Sequence, residues 1–500
     1  MQSQLAILMK TATSTGALAV LSERDLSPIL TEAAMLKEPL LALMNFRQVR
    51  GTPVRFKRRD VFPEAVFEGS TSAGNFTRSD WASVSVDLKP VRSWGETEAF
   101  DIATIENWNA FSVDVLGHVY ATAYLLAGCA LYGDEVVDFT TTGASNTNAN
   151  LTYQFDGLLN SAMTVGANLI EGAGARGTQA TVADFDNLID NTNVGGTQGN
   201  VKVLIMSSQM MTRLARQATA GGADTGLRFN VELGQNVPAA GIVAPVKYHS
   251  NYFPMGVDLF SYRGKLVYPS DFTRPIAQMG AVTVAAAAGG SLAAGSYRYA
   301  VAPVTWRGEQ LAAFSSSVGV SGANGTVNIT ITPFKFPGSR AVYTDALYYR
   351  VYRSTVNNNG TSPGVYQLIG TYPAATYNAN GQQTAGVTTL SDTGAVTDAN
   401  RTAQYPLTQN GSVNNGTLAS PNAAGNDEVV WLVNLNVQQG CELVGASDAE
   451  ASAAPEAGLD ILRFKRLAET KDTVPFFVRS FAGLLVKRIA GHGMIRGLEA

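Results

Sequence analysis

The chain has 500 residues, of which 45% are hydrophobic and 15% charged, with 49 glycines and a formal net charge of −4. Such a composition suits a folded chain of two to four domains and excludes a disordered one. The slight acidity argues against a broad nucleic-acid footprint, though not against a local basic patch.

Cys129 and Cys441 are the only cysteines, which excludes a disulfide scaffold and a thiolate zinc site. The opening stretch, MQSQLAILMKTATSTG, has no charged segment ahead of its short apolar run, which Lys10 interrupts, so it does not read as a signal peptide. No run of about 18 consecutive strongly apolar residues occurs, and no membrane-spanning helix is expected. These features predict a soluble chain made in a reducing cytosol.

Residues 1–50 read as an arm with short helices. Ser27-Pro28 is a helix start, and the helical stretch Ile29 to Leu43 is broken by Pro39. Leu36, Leu40, Leu41, Leu43, Met44 and Phe46 require burial, either on the chain's own domain or on a neighbouring subunit. Residues 51–100 switch to strand chemistry. Val54 and Phe56, then Val84, Val86 and Leu88, alternate with polar neighbours around a glycine- and serine-rich tip, GSTSAGNFTRSD. A long hairpin follows from this pattern, and a hairpin needs a surface to lie on. Arg55, Lys57, Arg58 and Arg59 on its first arm form either a solvated charged face or one side of salt bridges between subunits.

The stretch from Asp101 to Gly133 lacks proline and repeats apolar residues at Ile105, Trp108, Phe111, Val115, Val119, Tyr120, Tyr124 and Leu126, the period of one helix face. Asp101 is placed to cap it and Gly133 to stop it. Gly117 and Gly128 each weaken it by about 1 kcal/mol relative to Ala and allow another backbone to come close. At 1.5 Å per residue the helix would be about 50 Å long, a beam by globular standards. Cys129, within it, reads as a small buried apolar residue.

Beyond the helix, Phe155-Asp-Gly-Leu-Leu-Asn160 leads into an apolar segment, and Thr181 to Asp184 resembles a capping box that opens a helix through Ile189. Val201 to Met206 is a buried strand signal. Ser207 then caps a helix to about Gln217. Short strands are predicted at 241–247, 257–262 and 265–268. The small-residue run 281–295 reads as a linker. From about 285 to 403 strand signals recur between turn residues (296–303, 315–320, 326–332, 346–353, 366–371 and 388–391), the spacing of a β-sandwich inserted at a surface loop. Val429 to Val433 is again a strand, and a C-terminal strand is expected to return to the first domain.

No chemistry-bearing constellation is evident. His118, His249 and His492 are isolated from one another and from any motif. Gly172, Gly174 and Gly177 match GxGxxG, but the helix signal begins only at Thr181 and no acidic residue follows at the required distance, so a flexible loop is the better reading. No catalytic, cofactor-binding or metal-binding residue is assigned, no cofactor is expected, and the chain is not expected to be an enzyme.

The order of elements resembles the major capsid proteins of tailed bacteriophages, whose fold is shared with encapsulin shells and the floor of herpesvirus capsids. The residues that carry the resemblance are Ser27-Pro28, the 51–100 hairpin, the 101–133 helix, Phe155 to Asn160, and VKVLIMSSQMMTRLARQ at 201–217. Gly295-Ser-Tyr-Arg-Tyr-Ala-Val301, Gly308-Glu309, Tyr348-Tyr-Arg-Val-Tyr-Arg353 and Asp392-Thr-Gly394 resemble strands and turns of fibronectin type III or immunoglobulin-like domains borne by phages. The usual Gly-Glu-Ser is Gly-Glu-Gln here.

The resemblance implies an α+β phage capsid fold. Residues 1–50 would be the arm and 51–100 an extended hairpin loop lying across an adjacent subunit. Residues 101–220 and 456–500 would be a peripheral domain with spine helix 101–133, and 221–284 and 404–455 an axial domain. Residues 285–403 would be an inserted immunoglobulin-like sandwich on the outer surface. It further implies a virion shell assembled in the host cytoplasm from hexamers and pentamers of this chain. That shell would enclose double-stranded DNA without sequence-specific binding, with scaffolding, portal or decoration proteins as further partners and no membrane. Some family members crosslink a loop lysine to an asparagine; Lys57 and Lys89 are available, but nothing in the sequence supports a bond. An encapsulin-type nanocompartment is the first alternative, and a carbohydrate-binding or enzymatic protein with a sandwich module the second.

Overall fold

The computed structural model describes residues 39–49, 53–61, 80–98, 110–135, 154–163, 167–171, 180–192, 202–220, 260–263, 265–321, 325–358, 363–378, 383–394, 404–409, 426–436, 439–446, 462–467 and 473–499. The fold is mixed α+β, rich in strands and poor in helices. The expected positions Asp101, Ile105 and Trp108, the hairpin tip, Gly172 to Gly177, 241–247 and His249 lie outside the described residues, as do Ser27-Pro28 and most of the proposed axial domain.

Pro39 opens a short helix, α1 (Pro39–Leu43), where the sequence suggested a break. A proline's missing N–H costs nothing in the first turn. Strand β1 (Asn45–Val49) follows and runs parallel to a strand near residue 441. Leu40, Leu41 and Met44 are buried within this chain, so the described end of the arm packs on its own domain. Strands β2 (Val54–Val61) and β3 (Asp80–Val86) form the expected antiparallel hairpin, with Val54 opposite Val86 and Phe56 opposite Val84. Strand β4 (Lys89–Glu98) leads to the spine helix α2 (Ala110–Tyr132), about 35 Å long at 1.5 Å per residue.

Phe111, Val115, Val119, Leu126 and Cys129 are buried as the periodicity predicted, while Tyr120 and Tyr124 are half-buried. By length and composition the segment from Phe111 to Tyr132 is apolar enough to cross a membrane, a test that a buried core helix also meets. Ser112, Asp114, His118 and Thr122 interrupt the run without changing its mean character. The helix is mostly buried against sheets, as in the core of a folded domain.

The two glycines in α2 differ in kind. At Gly128 an added Cβ would lie 2.0 Å from the Trp306 carbonyl oxygen, so another backbone does come close there. At Gly117 nothing lies within 4 Å. Gly117→Ala is therefore expected to raise stability by about 1 kcal/mol through helix propensity. Gly128→Ala should lower it by about 1–3 kcal/mol through overpacking. Urea unfolding of the two variants checks the pair, and equal signs would contradict it.

Helix α3 (Leu158–Ala162) and strand β5 (Leu169–Glu171) precede α4 (Val182–Thr192). The Asp184 carboxylate accepts hydrogen bonds from the Thr181 N–H (2.8 Å) and hydroxyl (2.7 Å), fixing the start of α4 as the capping signal suggested. Strand β6 (Lys202–Met206) is wholly buried, and the Ser207 hydroxyl caps α5 (Ser208–Ala220) by accepting from the Met210 N–H at 3.1 Å. Strands β7 (Phe260–Tyr262) and β8 (Lys265–Pro269) form a hairpin, and β8 runs parallel to β6.

Strand β9 (Val282–Leu292) overturns the reading of 281–295 as a linker. Its alanines pair with a later strand from Val282↔Ile331 to Ala288↔Gly325, and this ladder outweighs the poor strand propensity of Ala and Gly. Gly289 and Gly290, at φ of 93° and 78°, bend its end. Next come β10 (Gly295–Tyr297), β11 (Tyr299–Thr305), β12 (Gly308–Glu309), β13 (Ala313–Phe314), β14 (Val318–Val320), β15 (Gly325–Ile331), β16 (Ala346–Ser354), β17 (Tyr366–Pro373), β18 (Ala375–Tyr377), β19 (Gln383–Gly386) and β20 (Thr389–Asp392). A five-stranded sheet has the order β12-β11-β16-β17 with β13 also on β11, and a three-stranded sheet the order β20-β15-β9.

The chain then returns through β21 (Asp427–Asn434), β22 (Cys441–Ala446), β23 (Arg463–Arg466), the long β24 (Thr473–Val486) and β25 (Gly493–Glu499). Strand β24 pairs with β4 over ten residues and with β22 and β23, and α2 packs on this sheet. Strand β21 lies between β25 and β6 in a six-stranded sheet ordered β5-β25-β21-β6-β8-β7. That sheet draws on ranges assigned above to both the peripheral and the axial domain. Side-chain burial and long-range ladders group the strands differently from their position along the chain.

Candidate assembly interface

Strand β4 alternates strictly. Lys89, Val91, Ser93 and Gly95 are half-buried and Thr97 is buried, while Pro90, Arg92, Trp94, Glu96 and Glu98 are exposed. The inward residues meet α2. Ser93 Oγ and His118 Nδ1 are 2.6 Å apart, the Thr97 hydroxyl donates to Asp114 at 2.7 Å, and Phe476 stacks edge-on against both Phe111 and His118. Burial lowers the His118 pKa, partly offset by Asp114. Gly95 is required here, because a Cβ would meet the Phe476 and His118 rings at 2.4 and 2.6 Å.

The outward residues make a different surface. Trp94 is 56% exposed and its ring lies 5.0 Å from that of Phe477 on β24. Opposite Arg92 stands Arg479, whose guanidinium sits 5.8 Å from the Phe477 ring and 5.6 Å from that of Phe481. The result is an aromatic and cationic platform on a rigid two-strand ladder, the composition enriched at protein interfaces. From the sequence alone, neither Trp94 nor Arg479 carries an assigned role. The period-two alternation from Pro90 to Glu98 was the signal available.

A second feature lies inside. Glu309 on β12 accepts from Arg350 on β16 (2.7 Å), from the Tyr352 hydroxyl (2.7 Å) and from Arg496 on β25, and Arg496 also pairs with Glu171 on β5 at 2.5 Å. Arg350 bonds Gln404 as well. Burial by itself would raise the Glu309 pKa; the two guanidiniums hold it below the ordinary value. Charges this deep are satisfied by each other and not by solvent, so the cluster is structural in kind. Nearby, Tyr132 ties the end of α2 to three elements: its hydroxyl donates to the Phe272 carbonyl (2.9 Å) and accepts from Trp431 Nε1 (3.1 Å), and its carbonyl accepts from the Tyr348 hydroxyl (2.8 Å).

Among the described residues, His118 and His492 lie among different neighbours and share no partner. His492 is fully buried, and its Nδ1 accepts from the Asn434 N–H at 3.2 Å. Burial, with the charge of Lys202 nearby, pushes its pKa down to about 3. The unfolded chain therefore takes up this proton below about 6.5 while the folded chain refuses it. His492 thus contributes nothing unfavourable above pH 6.5. Below that pH it costs up to about 1.4 kcal/mol of stability per pH unit, down toward 3. His492→Asn should flatten the stability profile between pH 6.5 and 4, read from denaturant midpoints at several pH values, and an unchanged slope would contradict this.

Among the described residues no group of three or more His, Cys, Asp and Glu side chains gathers as a metal site. Cys129 and Cys441 are both free and buried, with thiol pKa values pushed up to about 12 by burial. Lys89, one of the two lysines considered for a crosslink, is ion-paired with Glu135 at 2.6 Å. Arg55 and Lys57 are exposed on β2.

No protein family and no curated protein matches the chain in sequence. Solved structures resemble it at low identity. The holo-SrpI encapsulin complex from Synechococcus elongatus PCC 7942 is 9% identical with a TM-score of 0.41, over 92% of this chain and 87% of the other. The capsid of a native GTA particle is 10% identical with a TM-score of 0.38, over 94% and 91%. Mycobacterium phage Ogopogo is 8% identical with a TM-score of 0.37, over 91% and 91%.

Proposed function

We propose that this chain is a shell-forming major capsid protein, which closes by self-association into the icosahedral head of a tailed phage and encloses its double-stranded DNA. The observation that carries this reading is the sequence of parts within one fold. A β2–β3 hairpin packs the base of its two strands on β22 and β24, a 23-residue helix braces the long β4/β24 ladder, and the C-terminal strand returns to a separate six-stranded sheet. A hairpin and a long ladder with an outward face suit repeated heterologous contacts between copies, which is what closed shells need.

In this reading the 51–100 hairpin lies across an adjacent subunit, and the 285–403 segment, an immunoglobulin-like sandwich, faces outward. Hexamers and pentamers form in the host cytoplasm with the help of scaffolding or portal proteins. The function is carried by interfaces and not by catalysis. An encapsulin-type compartment uses the same contacts and differs in its cargo.

Light scattering and negative-stain microscopy of the purified chain, alone and with the products of neighbouring genes, test this. Closed shells, pentamers or hexamers are the expected result. A chain that stays monomeric under all these conditions would overturn it, and nucleic acid inside the particles would separate the phage head from the compartment.

A further inference from the structure

The exposed face of β4 has an order that matters. Arg92 lies on one side of Trp94, and Glu96 and Glu98 lie on the other. On β24, Arg479 stands opposite Arg92 and reinforces the basic end, while Pro475 and Thr473 stand opposite Glu96 and Glu98 and leave the acidic end without a counter-charge. Arg92, Glu96 and Glu98 make no ion pair among the described residues. Four residues of strand separate Arg92 from Glu96 by about 13 Å, too far for them to bridge within one chain. The exposed indole between them lies 5.0 Å from the Phe477 ring.

A strip that runs basic, aromatic, acidic is complementary to itself when reversed. In an isologous contact residue i meets residue j and j meets i, so the self-complementary strip fits a two-fold axis through its middle. We infer that a second copy of this chain docks antiparallel on the β4 face, about a two-fold axis at Trp94. The two indoles then meet, and Arg92 of each copy faces Glu96 of the other. This contact rests on the self-assembly proposed above and names one surface through which it runs.

The test uses the full chain. Trp94→Cys introduces a thiol at the proposed axis, while Cys129 and Cys441 are buried and out of reach. Mild oxidation is expected to give a disulfide-linked dimer on a non-reducing gel, and a chain that stays uncrosslinked although the thiol is titratable would overturn the contact. Arg92→Glu and Glu96→Arg, each checked for an unchanged melting temperature, should each weaken association at least tenfold in sedimentation, and the double reversal should restore it. A double reversal no better than either single one would also overturn the contact. If Arg92→Glu chains close into shells as the wild type does, this contact is wrong and self-assembly stands. If the wild type never associates, both fail.

Discussion

Glu309→Gln is expected to destabilise the folded chain by about 3–5 kcal/mol, the usual cost of removing one partner from a buried charged set. Among the described residues Glu309 is the only carboxylate that Arg350 and Arg496 share, and all three side chains are at most 2% exposed. Glutamine keeps the shape and loses the charge. It leaves two guanidiniums buried, Arg350 with the neutral Gln404, and Arg496 with Glu171 and the Tyr352 hydroxyl. Arg496→Met should also destabilise, because it takes a charged partner from Glu309 and from Glu171, while leaving Glu309 paired with Arg350. The double variant Glu309→Gln, Arg496→Met should recover part of the loss. Denaturant unfolding of the wild type, the two single variants and the double one closes a cycle whose coupling term reads the pair directly. A coupling near zero would mean that the cluster is solvated and that the burial argument fails.

This cluster marks where sequence reading stopped. In the sequence Glu309 belongs to a Gly-Glu turn, and Arg496 sits in GMIRGLE as an ordinary polar position. Nothing local says that they meet 187 residues apart. The same applies to β9. Its run of alanine and glycine has neither the alternation nor the branched residues of a strand, and only the β15 ladder beside it decides its conformation. Where local chemistry and tertiary contacts agree, the sequence was legible. KVLIM is a buried strand, Ser207 does cap the helix after it, Thr181 and Asp184 do open α4, and Phe111 to Leu126 do present one apolar face. The outward strip on β4 was legible in principle, since its period of two is written in PVRSWGETE. Its significance depends on knowing which face α2 covers.

Removing residues 285–403 and joining the ends with a glycine linker is expected to abolish folding, although the sequence pattern suggested an insertion at a surface loop. The segment is joined to the rest of the chain by more than its two ends. One hydrophobic cluster runs without a break from Leu40 and the spine helix through Trp431 to Tyr299, Tyr348 and Tyr372. The backbone of Trp306 lies against Gly128, Gln310 Oε1 accepts from the Ile276 and Ala277 N–H groups, and Leu311 and Ala312 bond Ala277 and Leu407 through their backbones. Deletion would uncover the Tyr132 and Trp431 end of the core and strip Arg496 of Glu309. Each large side chain uncovered costs about 1.5–3 kcal/mol, and a few of them reach the roughly 5–15 kcal/mol by which a domain is stable. Soluble yield, circular dichroism and a thermal melt read the outcome. Insoluble or molten material is expected. Adding Arg496→Met to the deletion should not rescue it, because the charge is only part of what is lost. A monodisperse deletion variant with an unchanged melting temperature would show that the segment is an appendage and that the core does not depend on it.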